Sequence, residues 1–175
     1  MVRRLSSLLA GIVLLLASMA GQAQSSTEQQ LKAAYLVNFL KYLEWPDSAP
    51  KATICLFGRE SLEIALAPYE GRIIAGREMM TRRVSRPDQL EDCQILYLPD
   101  IEEARFQAVI RWTENRPILT VSDAEFFARQ GGGIALVHED TRLRFDINLD
   151  ALSRARLKPA SQMLRLARHV IGGVR

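Results

Sequence analysis

Residues 118–148 read ILTVSDAEFFARQGGGIALVHEDTRLRFDIN, and this stretch contains the clearest indications of the fold. Its start, Pro117–Val121, is a short apolar run typical of a buried strand. The next four residues, Ser122-Asp123-Ala124-Glu125, match a capping box and predict a short helix through Ala128. The triple glycine at 131–133 lacks the lysine and the spacing of a phosphate-binding loop. It predicts a turn or bulge with positive φ.

The end of the same stretch predicts a β-hairpin. Ile134–Val137 and Leu143–Ile147 are apolar segments on either side of a polar turn at residues 138–140. In the second segment the residue types alternate with a period of two, as in a half-buried strand. The alternation sets Leu143, Phe145 and Ile147 against Arg142, Arg144 and Asp146.

Helices and strands alternate along the rest of the chain. Apolar residues recur at helical spacing over Thr27–Leu43, with Lys32 and Lys41 outside the apolar surface and a capping box formed by Ser26 and Gln29. The pattern predicts one α/β domain with a largely parallel sheet flanked by helices, ending in a C-terminal β-hairpin and helices. The other predicted elements are a strand at Ala52–Phe57, a helix at Ser61–Ala67, a hairpin of Gly71–Ile74 and Glu78–Val84, a strand at Cys93–Leu98, a helix from the cap Asp100 to Thr113, a helix capped by Asn148 and a helix at Ser161–Ile171.

The first residues have the three-part pattern of a secretory signal peptide. Arg3 and Arg4 precede the apolar run Leu8–Ala20, which is shorter than the roughly 20 apolar residues of a membrane-spanning helix. Small residues then lead to a cleavage point after Ala23. We therefore expect a signal peptide at residues 1–23 and an exported, periplasmic domain at residues 24–175. An uncleaved membrane anchor is the alternative.

The charge of the exported domain is nearly balanced. Without Arg3 and Arg4, 21 basic residues face 20 acidic ones, so the high isoelectric point is no argument for nucleic-acid binding. The basic residues are nevertheless concentrated in the C-terminal third of the chain. Such a concentration can attract an anionic ligand, an acidic protein surface or lipid headgroups, and the alternative is a solvated face.

A candidate binding site follows from this concentration of charge. The last predicted helix brings three basic side chains together, because positions three and four residues apart are neighbours on a helix. If the predicted hairpin packs beside that helix, its arginines join them and can bind a phosphate or carboxylate bidentately. The alternative is a set of independent solvated side chains. The candidate ligand- or partner-binding residues are Arg142, Arg144, Arg165, Arg168 and His169.

The two cysteines favour a disulfide over a metal site or a catalytic centre. Cys55 and Cys93 lie in two predicted buried strands, and export would place them in an oxidising compartment. Two buried thiols that never meet are the alternative. His138 and His169 show no metal-ligand spacing with them, and the chain has no G-x-S-x-G or H-E-x-x-H motif. The sequence therefore predicts no catalytic residue, no metal and no cofactor.

Five segments, taken in order along the chain, resemble the YfiR family. The most specific parts are the helix ending in WP, the SD…GGG segment and the RFDINLDA…LRLAR end. The five segments are LKAAYLVNFLKYLEWP (Leu31–Pro46), ICLFG (Ile54–Gly58), CQILYLP (Cys93–Pro99), ILTVSDAEFFARQGGGIALV (Ile118–Val137) and RLRFDINLDALSRARLKPASQMLRLAR (Arg142–Arg168).

The resemblance implies a small periplasmic α/β protein without established catalysis. The founding member of the family represses an inner-membrane diguanylate cyclase by binding its periplasmic sensor domain, and the redox state of its cysteines and small ligands modulate that repression. Dimers are typical of the family. Cys55 and Cys93 correspond to one cysteine pair of that founding member, whereas the second pair has no counterpart here. A switch that needs the second bridge is therefore in doubt.

Two functions from different classes follow. The leading expectation is a non-catalytic homodimeric regulator that binds the ectodomain of an inner-membrane diguanylate cyclase or histidine kinase, and so controls cyclic-di-GMP synthesis in the first case. The alternative is a periplasmic protein that binds a small anionic ligand and reports to a histidine kinase or a transporter. An enzyme acting on a phosphorylated or carboxylated substrate is a third class, and no residue pattern supports it.

Overall fold

The computed structural model describes residues 27–46, 49–58, 62–99 and 103–173. The predicted signal peptide and the predicted helix caps Ser26 and Asp100 lie outside these residues. Within the described ranges, no helix has both the length and the apolar character needed to cross a membrane.

An eight-stranded sheet forms the centre of the molecule, with the strand order β10-β8-β7-β6-β5-β2-β4-β3. The strands from β4 to β7 in this order run parallel. β3 is antiparallel to β4, β8 is antiparallel to β7, and β10 is parallel to β8. The strands are β2 (Lys51–Phe57), β3 (Ile73–Ile74), β4 (Arg77–Val84), β5 (Cys93–Leu98), β6 (Leu119–Ser122), β7 (Ile134–Glu139), β8 (Arg142–Asn148) and β10 (His169–Ile171).

The remaining elements cover the faces of this sheet. A separate antiparallel pair joins β1 (Leu43–Glu44) to β9 (Lys158–Pro159). The helices are α1 (27–42), α2 (Leu62–Leu66), α3 (Glu103–Thr113), α4 (Leu149–Arg154) and α5 (Ser161–Leu166), and 3-10 turns follow at Ala67–Tyr69 and Pro87–Gln89. This architecture confirms the predicted α/β class, the largely parallel sheet and the antiparallel hairpin β7–β8.

The sheet has a buried apolar layer on each face, and the strands supply both layers. Successive residues of a strand point to opposite faces, so in β2 Ile54 packs on the side of α1 and Cys55 on the side of α3. The same alternation separates Ile95 from Leu96 in β5. Because both faces are covered, these strands appear in the sequence as mostly apolar runs without a strict period-2 alternation.

Cys55 and Cys93 form the predicted disulfide, with their Cα atoms 5.8 Å apart. It joins the adjacent strands β2 and β5 within the layer on the side of α3. A register shift between Thr53 and Ile54 accompanies the pairing, and the side-chain oxygen of Gln94 accepts a 2.6 Å hydrogen bond from the amide of Thr53. The prediction of a bridge is confirmed.

The predicted helix from Ser122 through Ala128 is wrong, since residues 123–131 form successive turns. Ser122 accepts a hydrogen bond from the amide of Ala124 at 3.1 Å, and the neighbouring Asp123 pairs with Lys32 of α1. The amide of Phe127 then bonds to the carbonyl of Ala124, three residues back. The capping-box pattern of Ser122 and Glu125 is present in the sequence, but it does not by itself start a helix here.

The predicted helix Ser161–Ile171 is also wrong in its second half. The helix α5 ends at Leu166, and Ala167 has the extended backbone angles φ −64° and ψ 142°. The amide of Arg168 then donates a 2.8 Å hydrogen bond to the carbonyl of Phe145, and His169–Ile171 pairs with β8 as the edge strand β10. Hydrogen bonds to β8 therefore take the place of those that another turn of helix would make.

Candidate functional site

The five predicted site residues lie on three elements around one edge of the sheet. Arg142 and Arg144 belong to β8 and occupy the same strand face as Asp146, because they are spaced by two. Arg165 is an exposed residue of α5. His169 begins the edge strand β10 and Arg168 directly precedes it, so neither lies on a helix and the predicted helical grouping with Arg165 is wrong.

Pairing of β10 with β8 builds a charged cluster around Asp146. The register places His169 opposite Asp146. Arg168 donates two hydrogen bonds to this carboxylate, from Nε to Oδ1 at 2.9 Å and from Nη2 to Oδ2 at 2.7 Å, and His169 Nδ1 lies 3.2 Å from Oδ1. The Asp146 side chain is 1% exposed, and that of Arg168 is 15% exposed. The bidentate geometry is that of strong charge-assisted pairs.

The electrostatics of the cluster agree with this geometry. Burial alone would raise the pKa of Asp146, but the hydrogen bonds and charge of Arg168, with a contribution from His169, lower it below its ordinary value. The hydrogen bond to Asp146 in turn raises the pKa of Arg168. Arg168 is therefore an internal partner of a buried carboxylate, and its guanidinium is already occupied.

The other arginines of β8 are less engaged. Arg144 Nη1 lies 3.9 Å from Glu139 Oε2, at the limit of an ion pair. Arg142 is exposed and takes part in no ion pair with the residues that the structure describes. A role of Arg142, Arg144 and Arg165 in binding a ligand or partner stays a prediction.

A second charged centre, which was not predicted from the sequence, joins α1 to the sheet. Lys32 was expected outside the apolar surface of its helix, but its side chain is only 8% exposed. Its Nζ lies 2.6 Å from Asp123 Oδ2 and 2.9 Å from Glu28 Oε1. Tyr97 donates a 3.0 Å hydrogen bond to the same Asp123 oxygen. Lys32 and Asp123 are 91 residues apart, so no local pattern could reveal the pair.

The charges at this second centre support one another. Burial alone would lower the pKa of Lys32, but hydrogen bonds to Asp123 and Glu28 raise it above the ordinary lysine value. The hydrogen bond from Lys32 lowers the pKa of Glu28, which also lies 3.4 Å from His138 Nε2. The other oxygen of Asp123, Oδ1, is buried without a hydrogen-bond partner in the described structure. These contacts fix the N-terminal half of α1 against the carboxyl ends of β5 and β6.

A cleft of about 510 Å³ lies between α3 and α4, at the opposite ends of the central strands. It contains two arginines, Arg111 and Arg154, and the backbone around Gly131 and Gly133. None of the five predicted site residues lines it. Among the described residues, no group of three histidine, cysteine or acidic side chains is placed to bind a metal ion.

Comparison with known proteins identifies the family to which this chain belongs. The fold is that of a mixed α/β protein with a doubly wound sheet. The model of the YfiR/HmsC-like family matches residues 29–168, and the chain belongs to that family. At the level of the family, this supports a periplasmic regulatory protein associated with diguanylate cyclases.

A solved structure shares the fold. It is the ABC domain of a protein from Streptococcus pneumonia, crystallised in complex with L-Trp. The superposition has a TM-score of 0.52 and 15% sequence identity, and it covers 77% of this chain and 59% of the other. This chain therefore corresponds to little more than half of that structure, and the likeness concerns the fold alone.

Proposed function

We propose that this protein is an exported regulator that binds the periplasmic part of an inner-membrane signalling protein and represses a diguanylate cyclase. The family match over residues 29–168 carries this proposal. The fold contributes a rigid sheet with an edge that carries basic side chains, and such a surface suits protein recognition. A homodimer remains part of the proposal.

The binding surface that we propose is narrower than the five residues predicted from the sequence. We infer that Arg142, Arg144 and Arg165 contact the partner. In support, none of them is held by a buried carboxylate in the described structure. Arg168 and His169 act through Asp146 and position the edge of the sheet. Loss of either of these would affect binding through stability.

Control of the partner requires two states of this protein with different affinity for it. We propose that the Cys55–Cys93 bridge defines these states, because its reduction removes a link between two central strands. Affinity of the oxidised and reduced protein for the partner ectodomain, measured side by side, tests this step. Equal affinities contradict it.

Deletion of the gene with measurement of cellular cyclic-di-GMP tests the main proposal. We expect cyclic-di-GMP to rise on deletion and to fall again when the full-length chain is restored. A chain that begins at residue 24, and so lacks the predicted signal, is the matched control and should fail to restore the low level. Unchanged cyclic-di-GMP on deletion, under oxidising and reducing stress alike, contradicts a cyclase partner.

The alternative, a sensor of a small anion, makes a different prediction. It requires the purified protein to bind inorganic phosphate or a carboxylate with an affinity that falls in Arg142→Ala or Arg144→Ala variants. Isothermal titration calorimetry measures this directly. The pairing of Arg168 with Asp146 removes one of the arginines on which that function depended.

A further inference from the structure

The edge strand β10 covers only part of β8. Its three residues pair with Asp146, Ile147 and Asn148, and the amide of Arg168 reaches one residue further, to the carbonyl of Phe145. β8 itself begins at Arg142. In the described structure, residues 142–145 therefore have a neighbouring strand on the β7 side and none on the other side.

The direction of the backbone groups in this segment follows from two contacts. The carbonyl of Leu143 accepts a 2.8 Å hydrogen bond from the hydroxyl of Tyr35, and the carbonyl of Phe145 accepts one from Arg168. Neither donor lies on β7, so both carbonyls point away from it. In an antiparallel ladder the amide and carbonyl of a residue point to the same side. The amides of Leu143 and Phe145 therefore also point outward.

We propose that residues 142–145 of β8, here named the open edge, accept an acidic, extended segment of the membrane partner as an added strand. Strand addition to a sheet edge uses main-chain hydrogen bonds for affinity and side-chain contacts for specificity. At the open edge the amides of Leu143 and Phe145 are the groups that can bond an added strand, because the two carbonyls already accept hydrogen bonds from Tyr35 and Arg168. The inference rests on the proposed function for the source of the segment. It adds the surface that binds and the chemistry of what is bound.

The charges on the open edge favour an acidic strand over a second copy of this chain. Two copies of this chain could pair their open edges antiparallel in two registers. With Leu143 opposite Leu143, Arg142 faces Arg144 of the other copy. With Leu143 opposite Phe145, Arg144 faces Arg144, and Arg142 falls opposite Asp146, which Arg168 and β10 already occupy. Like charges directly opposite each other destabilise a strand pair, and a register centred on Phe145 is blocked because β10 already pairs with Asp146. Self-pairing is therefore disfavoured.

An acidic strand, in contrast, places opposite charges across from the arginines of the open edge. A carboxylate opposite Arg142 or Arg144 forms the favourable cross-strand pair that self-pairing denies. Arg142 is exposed and free of ion pairs within the described chain, and Arg144 is only loosely held by Glu139 at 3.9 Å. Exposed Leu31 lies one helical turn before Tyr35 on α1 and offers an apolar contact beside the edge. The segment we infer therefore alternates acidic and small or apolar residues.

Nuclear magnetic resonance of the isotope-labelled mature protein, residues 24–175, tests this without knowing the partner. The probe is a short capped peptide that alternates threonine and glutamate, and its counterpart has lysine in place of glutamate. We expect the glutamate peptide to shift the amide signals of Leu143 and Phe145 and to slow their hydrogen exchange. It should bind about tenfold more tightly than the lysine peptide, the effect of two cross-strand charge pairs.

Charge-reversal variants complete the experiment. The double variant Arg142→Glu/Arg144→Glu should invert the peptide preference, and Arg142→Gln/Arg144→Gln should abolish it if the reversed variant folds poorly. Arg129→Glu, an exposed arginine in the turns after β6, is the matched control and should behave as wild type. Equal affinity for both peptides, or shifts that map to another part of the chain, overturn the inference. Protection of the two amides that rises with protein concentration alone also overturns it, because the occupant would then be a second copy.

Failure of the proposed function and failure of the open-edge inference give different experimental results. If the protein binds no membrane signalling protein, cyclic-di-GMP stays unchanged on deletion while the peptide result at the open edge still holds. If the open edge is wrong but the function is right, an ectodomain binds without protecting Leu143 and Phe145.

Discussion

Arg168 holds the carboxylate of Asp146 with two hydrogen bonds of 2.9 and 2.7 Å, although the two residues are 22 positions apart and Arg168 precedes β10 whereas Asp146 lies on β8. The contact is possible because the chain leaves α5 at Ala167 and enters the sheet. It makes β10 and β8 one electrostatic unit at the edge that we propose for partner binding.

Replacement of Arg168 should reveal how much this unit stabilises the fold. In Arg168→Ala the carboxylate of Asp146 stays buried without its main partner, and loss of one member of a buried pair costs about 3 kcal/mol. Urea unfolding measures the change in the free energy of unfolding. The double variant Arg168→Ala/Asp146→Asn should lose less than Arg168→Ala alone, because it leaves no buried charge. A single-variant loss below about 0.5 kcal/mol, the size of a surface substitution, contradicts the argument.

The same pair makes stability depend on pH in the acidic range. The pKa of Asp146 is lowered in the folded state, so below its ordinary value the unfolded chain binds more protons than the folded one. Stability is then fully present above the ordinary aspartate pKa and is lost as the pH falls through the lowered, folded-state pKa. Chemical unfolding from neutral pH downward should show this loss. Asp146→Asn should have a shallower acid dependence, and an identical slope in both proteins contradicts the assignment.

The Lys32–Asp123 pair should stabilise the packing of α1 against the sheet. Lys32→Met leaves Asp123 partly buried with only Tyr97 beside it, and we expect a loss of about 3 kcal/mol in the free energy of unfolding. Asp123→Leu alone should also destabilise the protein, and Lys32→Met/Asp123→Leu should regain part of the loss, because apolar residues can replace a buried ion pair. Lys41→Met, an exposed lysine of the same helix, is the control. Additive losses in this double-mutant cycle contradict a direct interaction.

The disulfide should contribute to stability mainly through the unfolded chain. Cys55 and Cys93 are 38 residues apart, and closure of a loop of that length stabilises by about 4 kcal/mol on the chain-entropy account. Unfolding of the wild type in the presence and absence of a reductant measures this. A Cys55→Ala/Cys93→Ala variant should resemble the reduced protein and show no response to reductant. A response of that variant would assign the effect to something other than the bridge.

The sequence predicted those parts of the fold that depend on local pattern. The period-2 alternation of β8 gave the hairpin, and the apolar runs gave β2 and β5. It could not predict β10, because the sequence of Ser161–Ile171 is compatible with a helix. Only the assembled sheet offers residues 146–148 of β8 as a strand partner for its last three residues. Lys32 was misplaced for a similar reason, since its partner Asp123 comes from a distant part of the chain.

The candidate site shows the same division between local and distant information. Arg142 and Arg144 share a strand face, as the alternation required. The occupation of Arg168 by Asp146 depends on a strand pairing that forms only in the complete sheet. The alternation in the sequence assigned Asp146 to the charged face of β8, but no nearby residue in the sequence indicated that its side chain would be buried.

The triple glycine gives a final prediction, because its three residues are glycine for different reasons. Only Gly131 has the positive φ expected from the sequence, at 104°. A Cβ on Gly132 would lie 2.2 Å from the buried ring of Phe127, and a Cβ on Gly133 would lie 2.8 Å from the carbonyl oxygen of Thr120. Neither neighbour is the free end of a flexible side chain, so the β6–β7 pairing must shift to admit a methyl group.

We therefore expect Gly133→Ala to lower the free energy of unfolding by about 2–3 kcal/mol, the cost of overpacking a well-packed interior. Gly76→Ala is the matched control, because Gly76 has φ +80° but no atom within 4 Å of the added Cβ. There the cost should be only the 1–2 kcal/mol or so of a left-handed conformation. Urea unfolding of both variants separates steric contact from backbone strain. If Gly76→Ala proves the more damaging, the close approach of β6 to Gly133 is not what requires glycine at that position.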